Sequence, residues 1–349
     1  MNEKTRKTAI NAFGTICMIL IALILGGILV YLTGNSPFEA YGAMLRGAFS
    51  SPQRICELFV KLIPILLMAF GVSIAYKAQL WNIGAEGQFI MSSIAATAVA
   101  LYINIPIPVR FILSFIASLA AGALYAGLAG YLRNRFGANE VITTMMLNSI
   151  ASYFLMYLVN GPMQDPTTDL SQSPLVPESM FFARLIGNYR LHIGIFILLA
   201  VTIMMCFFWK SSVGYRINLI GQGEMVATYA GINVKQTVMT TMMISGAFAG
   251  LAGWIETFGI QHRILDGIAA DYGNISTIIA LLGSLNVYGI IASACFFSVL
   301  LCGGASMQRM TEVPYSVVNV IQGLIIILVI ARNMFADRLP QVSHKEKKG

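Results

Sequence analysis

Charge is what this sequence has least of. Only 11% of its 349 residues are Asp, Glu, Lys or Arg, against about 25% in a soluble domain. Hydrophobic residues make up 57%, and the mean hydropathy is +0.75. One or two anchors could not move the average so far, so the composition excludes a soluble domain on a tether and requires many membrane spans. Cysteine is scarce too. The five, at 17, 56, 206, 295 and 302, are scattered through apolar segments. They have neither metal-ligand spacing nor the pattern of a disulfide framework. Of three histidines, His192 and His262 fall at span ends and His344 in the tail; no metal site follows from them. Strings that would signal an intramembrane enzyme, His-Glu-x-x-His or Gly-x-Ser-x-Gly, are missing. No aspartate lies deep in any predicted span, and no cofactor is indicated. No clustered basic face with aromatic platforms is visible either, so the net charge of +7 does not point to nucleic acid.

What is present is apolar length. About 20 apolar residues cross a bilayer. The sequence predicts an all-α polytopic membrane protein, a single domain over 1–349 with about ten transmembrane helices. The spans are expected near 9–33, 56–76, 84–103, 109–132, 139–160, 192–210, 237–258, 273–286, 289–305 and 315–333. The run Ala9–Leu32 is too long for a signal peptide, and no small-residue cleavage site follows it. With ten spans and the N-terminus inside, 14 of the 22 Lys and Arg residues fall on the inner side and 7 on the outer. That bias predicts both termini in the cytoplasm.

The spans are broken by polar strips. Trp81-Asn-Ile-Gly-Ala-Glu-Gly-Gln88 separates two apolar runs. Buried polar groups in a membrane cost several kcal/mol unless satisfied. The strip is therefore a surface loop or a broken helix start that lines a watery path. Asn82-Ile83 opens the third span and Asn274-Ile275 the eighth, five spans later, each beside glycine. Such matched breaks suggest an inverted five-plus-five repeat and point to a solute site. Pro64, inside the second span, predicts a kink. Small-residue stripes at Gly122–Gly130 and Gly246–Gly253 let helices approach closely. The outer loop, 161–190, reads as irregular, with a short amphipathic helix over Ser179–Ile186.

The inner loop, 211–236, carries Glu224, Ala227 and Ala230 at i, i+3 and i+6, one face of a short helix. Gly223 opens that helix and Gly231 closes it. Glu224 sits in the first turn, where the helix dipole favours it.

These residues resemble the Glu-Ala-Ala…Gly loop of ABC importer permeases, without its fuller triplet. The strip 81–88 is similar to the Asn-Ile-Gly-x-Glu-Gly-Gln signature of the branch that carries branched-chain amino acids, simple sugars and nucleosides. The resemblance runs from about residue 10 to 335 and is greatest to the larger permease subunit of nucleoside importers. It implies coupling to an ATPase subunit through Glu224, Ala227, Ala230 and Gly231. The chain has no Gly-x-x-x-x-Gly-Lys-Ser/Thr phosphate loop, so ATP would be bound by that partner, and the chain is not itself an enzyme. The resemblance further implies a second permease subunit, homologous or a second copy, and an extracytoplasmic substrate-binding lipoprotein, in the plasma membrane of a bacterium. Nucleosides are the expected solute; simple sugars and riboflavin are the alternatives. An ion-coupled secondary transporter would need ionisable groups deep in the spans, whereas Glu57, Lys61, Glu140 and Glu256 lie toward span ends. A path for a neutral solute calls for amides and small residues, which donate and accept. The candidates are Asn82, Glu86, Gln88, Asn148, Asn274, Ser276 and Asn319.

Overall fold

The structure is a computed structural model that describes residues 3–311 and 313–338. Thirteen α-helices are described: α1 (Glu3–Leu32), α2 (Pro37–Phe49), α3 (Pro52–Lys77), α4 (Ala85–Tyr102), α5 (Ile107–Phe136), α6 (Glu140–Val159), α7 (Gly194–Phe208), α8 (Ser212–Gln222), α9 (Glu224–Tyr229), α10 (Val234–Glu256), α11 (Tyr272–Leu282), α12 (Val287–Thr311) and α13 (Ser316–Arg338). Among the described residues there is no strand, only two isolated bridges. The protein is an all-α, polytopic membrane protein. The tail His344, Lys345, Lys347 and Lys348 lies outside the described residues, as do the side chains of Lys4, Arg6, Lys7, Arg332 and Arg338.

Among the described residues, five helices are long and apolar enough to cross a membrane, or seven if each of two sharply bent pairs counts as one span. The bent pairs are Cys17–Leu32 with Pro37–Phe49, at 115°, and Gly194–Phe208 with Ser212–Gln222, at 64°. The other three expected spans correspond to α4, α11 and α13. Of these, α4 has 18 residues and α11 only 11, because both begin partway along their neighbours. Helix α2 was not expected from hydropathy.

The chain divides into two compact units, residues 51–299 and residues 1–50 with 300–349. In the larger unit α3 is the central helix. Its apolar window is 83% buried, whereas those of α5 and α6 are 28% and 22% buried. Helices α10, α11 and α7 pack around α3. The two small-residue stripes pack on each other within the chain. Gly122 of α5 and Gly246 of α10 are so close that a Cβ on either would run into the other's carbonyl oxygen. The backbones touch, and Ser118 Oγ donates to Gly250 O at 2.8 Å. In the smaller unit α1 packs along α13, and Tyr41 of α2 donates to Leu23 O at 2.6 Å.

Residues 160–190 form the expected irregular segment, with one correction. The helix predicted over Ser179–Ile186 is a single 3-10 turn at Glu178–Met180. The backbone beyond it is engaged elsewhere: Phe182 N donates to Phe258 O and Leu185 N to Leu191 O, pairings a helix would forbid. The segment lies along residues 258–266, with Ser173 N on Ile264 O and Val176 N on His262 O. Asp165 faces Arg263 at 3.9 Å.

Candidate functional site

Two places in the larger unit combine unusual geometry with polar chemistry. The first is the strip 81–88. After α3 the chain turns at Gln79 (φ 58°) and runs through Leu80 and Asn82, both fully buried. The side chain of Asn82 uses all of its hydrogen-bonding capacity. Its Nδ2 donates to Ser245 Oγ at 2.9 Å and to Gln88 Oε1 at 3.2 Å. Its Oδ1 accepts from Gly84 N at 3.0 Å and Gln88 Nε2 at 2.9 Å. Asn82 and Gln88 thus form a closed amide pair tied to α10. Ser245 is 11 residues into a helix of 23, or about 17 Å along it at 1.5 Å per residue. The start of α4 therefore lies near the middle of α10, not at its end.

A helix start leaves four backbone N–H groups without intrahelical partners. Helix α6 supplies some of what is missing. Asn148 Oδ1 accepts from Gly87 N at 2.8 Å, and its Nδ2 donates to Ile83 O at 2.9 Å. Thr144 Oγ1 accepts from Ile83 N at 3.3 Å. The first turn of α11 meets this same place from another direction. A Cβ on Gly273 would lie 2.5 Å from Glu86 Cβ and 2.7 Å from Glu86 N, so only glycine lets the two starts abut. Asn274 Nδ2 donates to Asp271 Oδ1 at 2.6 Å. Two helix N-termini, each with positive dipole character, converge where Glu86 and Asp271 supply carboxylates.

Beside this junction is a groove of about 510 Å³. Its polar lining is Glu86, Asn148, Ser149, Ser152, Asp266 and Asn274; Met145, Tyr153 and Met156 supply the apolar part. None of its described lining residues is Lys or Arg. Amides, hydroxyls, two carboxylates and a tyrosine can hydrogen-bond a hydroxylated solute, and they give an anionic one no counter-charge. Of the candidates from the sequence, Glu86, Asn148 and Asn274 come together in this lining. Asn82, Gln88 and Ser276 are buried away from it; Ser276 Oγ donates to Tyr272 O and Ile65 O, next to Pro64 of α3. Asn319 is exposed on α13, in the smaller unit. Ser149, Ser152, Tyr153 and Asp266 were not singled out from the sequence. The signal was available for α6, since 145, 149, 152 and 156 follow the i, i+3, i+4 spacing of one helix face.

Lys61 lies nine residues into α3, about 14 Å from its start, and donates to Tyr272 Oη at 2.9 Å. Glu256 is 3% exposed and accepts from Gln261 Nε2 at 3.1 Å. Gln261 belongs to a π-helical turn, Thr257–Gln261, that ends α10. Lys61 thus lies deeper than expected, whereas Glu256 ends α10 and Glu140 opens α6. Among the described residues no group of three His, Cys, Asp or Glu could hold a metal ion.

The second place is the opposite end of α6. Helices α8 and α9 meet at Gly223, whose φ of 138° is closed to side-chain-bearing residues. In α9, Ala227 is fully buried, while Met225 is 75% and Tyr229 88% exposed. Ala230 and Gly231 are exposed, and Gly231 closes the helix at φ 75°. The face expected to hold Glu224, Ala227 and Ala230 together is therefore divided: Ala227 anchors, and Glu224 turns to a partner. Arg133 Nη2 reaches Glu224 Oε1 at 3.0 Å and Nη1 reaches Glu140 Oε1 at 2.8 Å. A cleft of about 550 Å³ lies between these residues and the start of α10.

Residues 54–330 match the family described as branched-chain amino acid transport system permease component. The chain is 32% identical to the guanosine ABC transporter permease protein NupP of Bacillus subtilis, over 89% of this chain and 90% of that one. It is 31% identical to the nucleoside ABC transporter permease protein NupB of Lactococcus lactis, over 98% and 95%. It is also 31% identical to the glucose ABC transporter permease protein TsgB13 of Haloferax volcanii, over 93% and 88%. Lower similarity, at 22% and 24% identity, links it to a probable riboflavin import permease, RfuC of Treponema pallidum, and to a second guanosine permease of B. subtilis, NupQ. The chain belongs to this family of ABC importer permeases, as a transport subunit in the membrane.

Proposed function

We propose that this permease carries nucleosides into a bacterial cell by alternating access, as one of two permease subunits driven by a separate ATPase. The observation that carries this reading is similarity to NupB and NupP over nearly the whole chain. The groove at the α4–α11 junction agrees with it, because its amides and serines match a ribose and its Tyr153 face a base. In this reading Glu86, Asn148 and Asn274 contact the solute, while Asn82, Gln88 and Ser276 fix the shape of the junction. The exposed face of α9 is the contact for the ATPase, with Glu224, Ala227, Ala230 and Gly231 setting its position. Two related guanosine permeases in one bacterium support a heterodimer. The Lys and Arg bias supports both termini in the cytoplasm; in this reading the 160–190 segment faces the receptor lipoprotein.

Glucose is the second reading, favoured by the comparable similarity to TsgB13. The deciding experiment is ATP-dependent uptake of radiolabelled guanosine by proteoliposomes holding the complex and its receptor. Competition by other nucleosides, with none from glucose or riboflavin, is the expected result. Uptake that glucose abolishes would replace the nucleoside reading with the sugar one.

A further inference from the structure

We infer that Arg133 is a positioning residue that transmits movement of α9 into α6, and through α6 into the first turn of α4. The inference rests on the proposed docking of the ATPase at α9. Arg133 is in the last turn of α5. One arm of its guanidinium bonds the first residue of α6, Glu140, and the other the first residue of α9, Glu224. The next residue, Asn134, donates to Lys235 O in the first turn of α10 at 2.8 Å. Asn139 Oδ1 caps α6 by accepting from Val141 N at 2.9 Å. Four helix ends are thereby held as one block around one cleft.

From Glu140 the connection continues along a single helix face. Thr144 and Asn148 follow at i+4 and i+8, so they lie above Glu140 on the same side of α6. Thr144 Oγ1 donates to Glu140 O at 2.7 Å and accepts from Ile83 N. Asn148 holds both Ile83 O and Gly87 N. A helix is stiff over the ~12 Å that separates Glu140 from Asn148. A displacement of Glu140 is therefore delivered to the start of α4, where Glu86 meets Gly273. The residues outside the groove, Arg133, Glu140 and Thr144, are connected to it without touching solute.

Stability is not what this arrangement supplies. The Glu224 side chain is 58% exposed, and exposed ion pairs contribute little. The consequence is instead in coupling, meaning solute moved per ATP hydrolysed by the full complex in proteoliposomes. Arg133→Gln is expected to leave the ATPase bound and hydrolysing while transport per ATP falls about tenfold, an ordinary coupling range. Thr144→Val should lower the same ratio. The double variant should be no worse than the worse single one, because the two links act in series. Arg133→Lys, which keeps the charge but lacks the fork that reaches both carboxylates, should lower the ratio less than Arg133→Gln. A merely structural role would lower the melting temperature and the yield but leave the ratio unchanged, and that outcome overturns the inference. So do losses that multiply in the double variant. If the ATPase does not copurify with the unaltered permease, the proposed function fails, and this inference with it. If it copurifies and the ratio is unmoved, only the inference fails.

Discussion

Replacing Asn82 by alanine tests whether the junction is built as described. The substitution strands the amide of Gln88, the hydroxyl of Ser245 and the N–H of Gly84, all in the interior. Four hydrogen bonds at the membrane-protein average of about 0.6 kcal/mol give a lower figure of about 2 kcal/mol. Stranded buried groups cost about 1–3 kcal/mol each. Relaxation of the serine hydroxyl spares part of that, so the upper figure is about 5 kcal/mol. The assay is equilibrium unfolding of the purified permease in mixed micelles containing increasing denaturing detergent. Gln88→Ala should cost a comparable amount, and the double variant far less than the sum, because the two amides share their bonds. A loss below about 1 kcal/mol for Asn82→Ala would refute the closed amide pair, on the measured range for such bonds. A stable variant with altered solute preference would instead put Asn82 in the path.

Three other outcomes follow from separate features. Gly273→Ala puts a methyl group against Glu86 Cβ and N; it should destabilise by about 1–3 kcal/mol and slow transport, read by melting temperature and uptake together. Tyr229→Ala removes an 88% exposed ring. It should change the permease's stability by less than about 0.5 kcal/mol yet weaken ATPase binding by about 2 kcal/mol, as measured by titrating the purified ATPase. The third concerns pH. Burial, and then the charge of Arg184, hold His262 below the ordinary histidine range. Its stabilising contribution is therefore complete above about pH 6.5 and is lost as the pH falls below that, because only the unfolded chain takes up the proton. Hydrogen exchange at Ser173, Val176 and Ile264, corrected for intrinsic rates, should quicken between pH 7.5 and 5.5; a His262→Gln variant with the same pH dependence would contradict the assignment.

The long apolar spans were legible because hydropathy alone decides whether a helix can sit in lipid. Helices α3, α5, α6 and α10 fall within a few residues of their expected bounds. Helix α2 escaped that test. It is only 13 residues long and carries Glu39 and Arg46, although Ser36-Pro37 ahead of Glu39 is a readable helix start. The strip 81–88 was recognisable as polar and anomalous, but its depth was not. Its position depends on Ser245 and Asn148, which are 163 and 61 residues from the atoms they bind. No local pattern encodes such separations. The repeat suggested by Asn82-Ile83 and Asn274-Ile275 differs in the fold: Asn82 precedes its helix in an irregular segment, while Asn274 is inside the first turn of α11. In α9 the spacing predicted one face. Tertiary contacts buried Ala227 and drew Glu224 to Arg133, which lies 91 residues away.

The bond between Lys61 and Tyr272 has a consequence for how the protein is made. The two residues are 211 positions apart. At about 5–20 residues per second, a ribosome needs about 10–40 s to add that much chain. During that interval α3 is in or near the bilayer with an ammonium group, but without the helix that later supplies its hydroxyl partner. A cation in hydrocarbon costs about 2.5–3.5 kcal/mol on insertion scales. The newborn helix must therefore wait at a watery or proteinaceous margin, and its burial within the larger unit comes late. Biogenesis thus runs opposite to the architecture of the larger unit: its central helix is among the first synthesised and among the last to be enclosed.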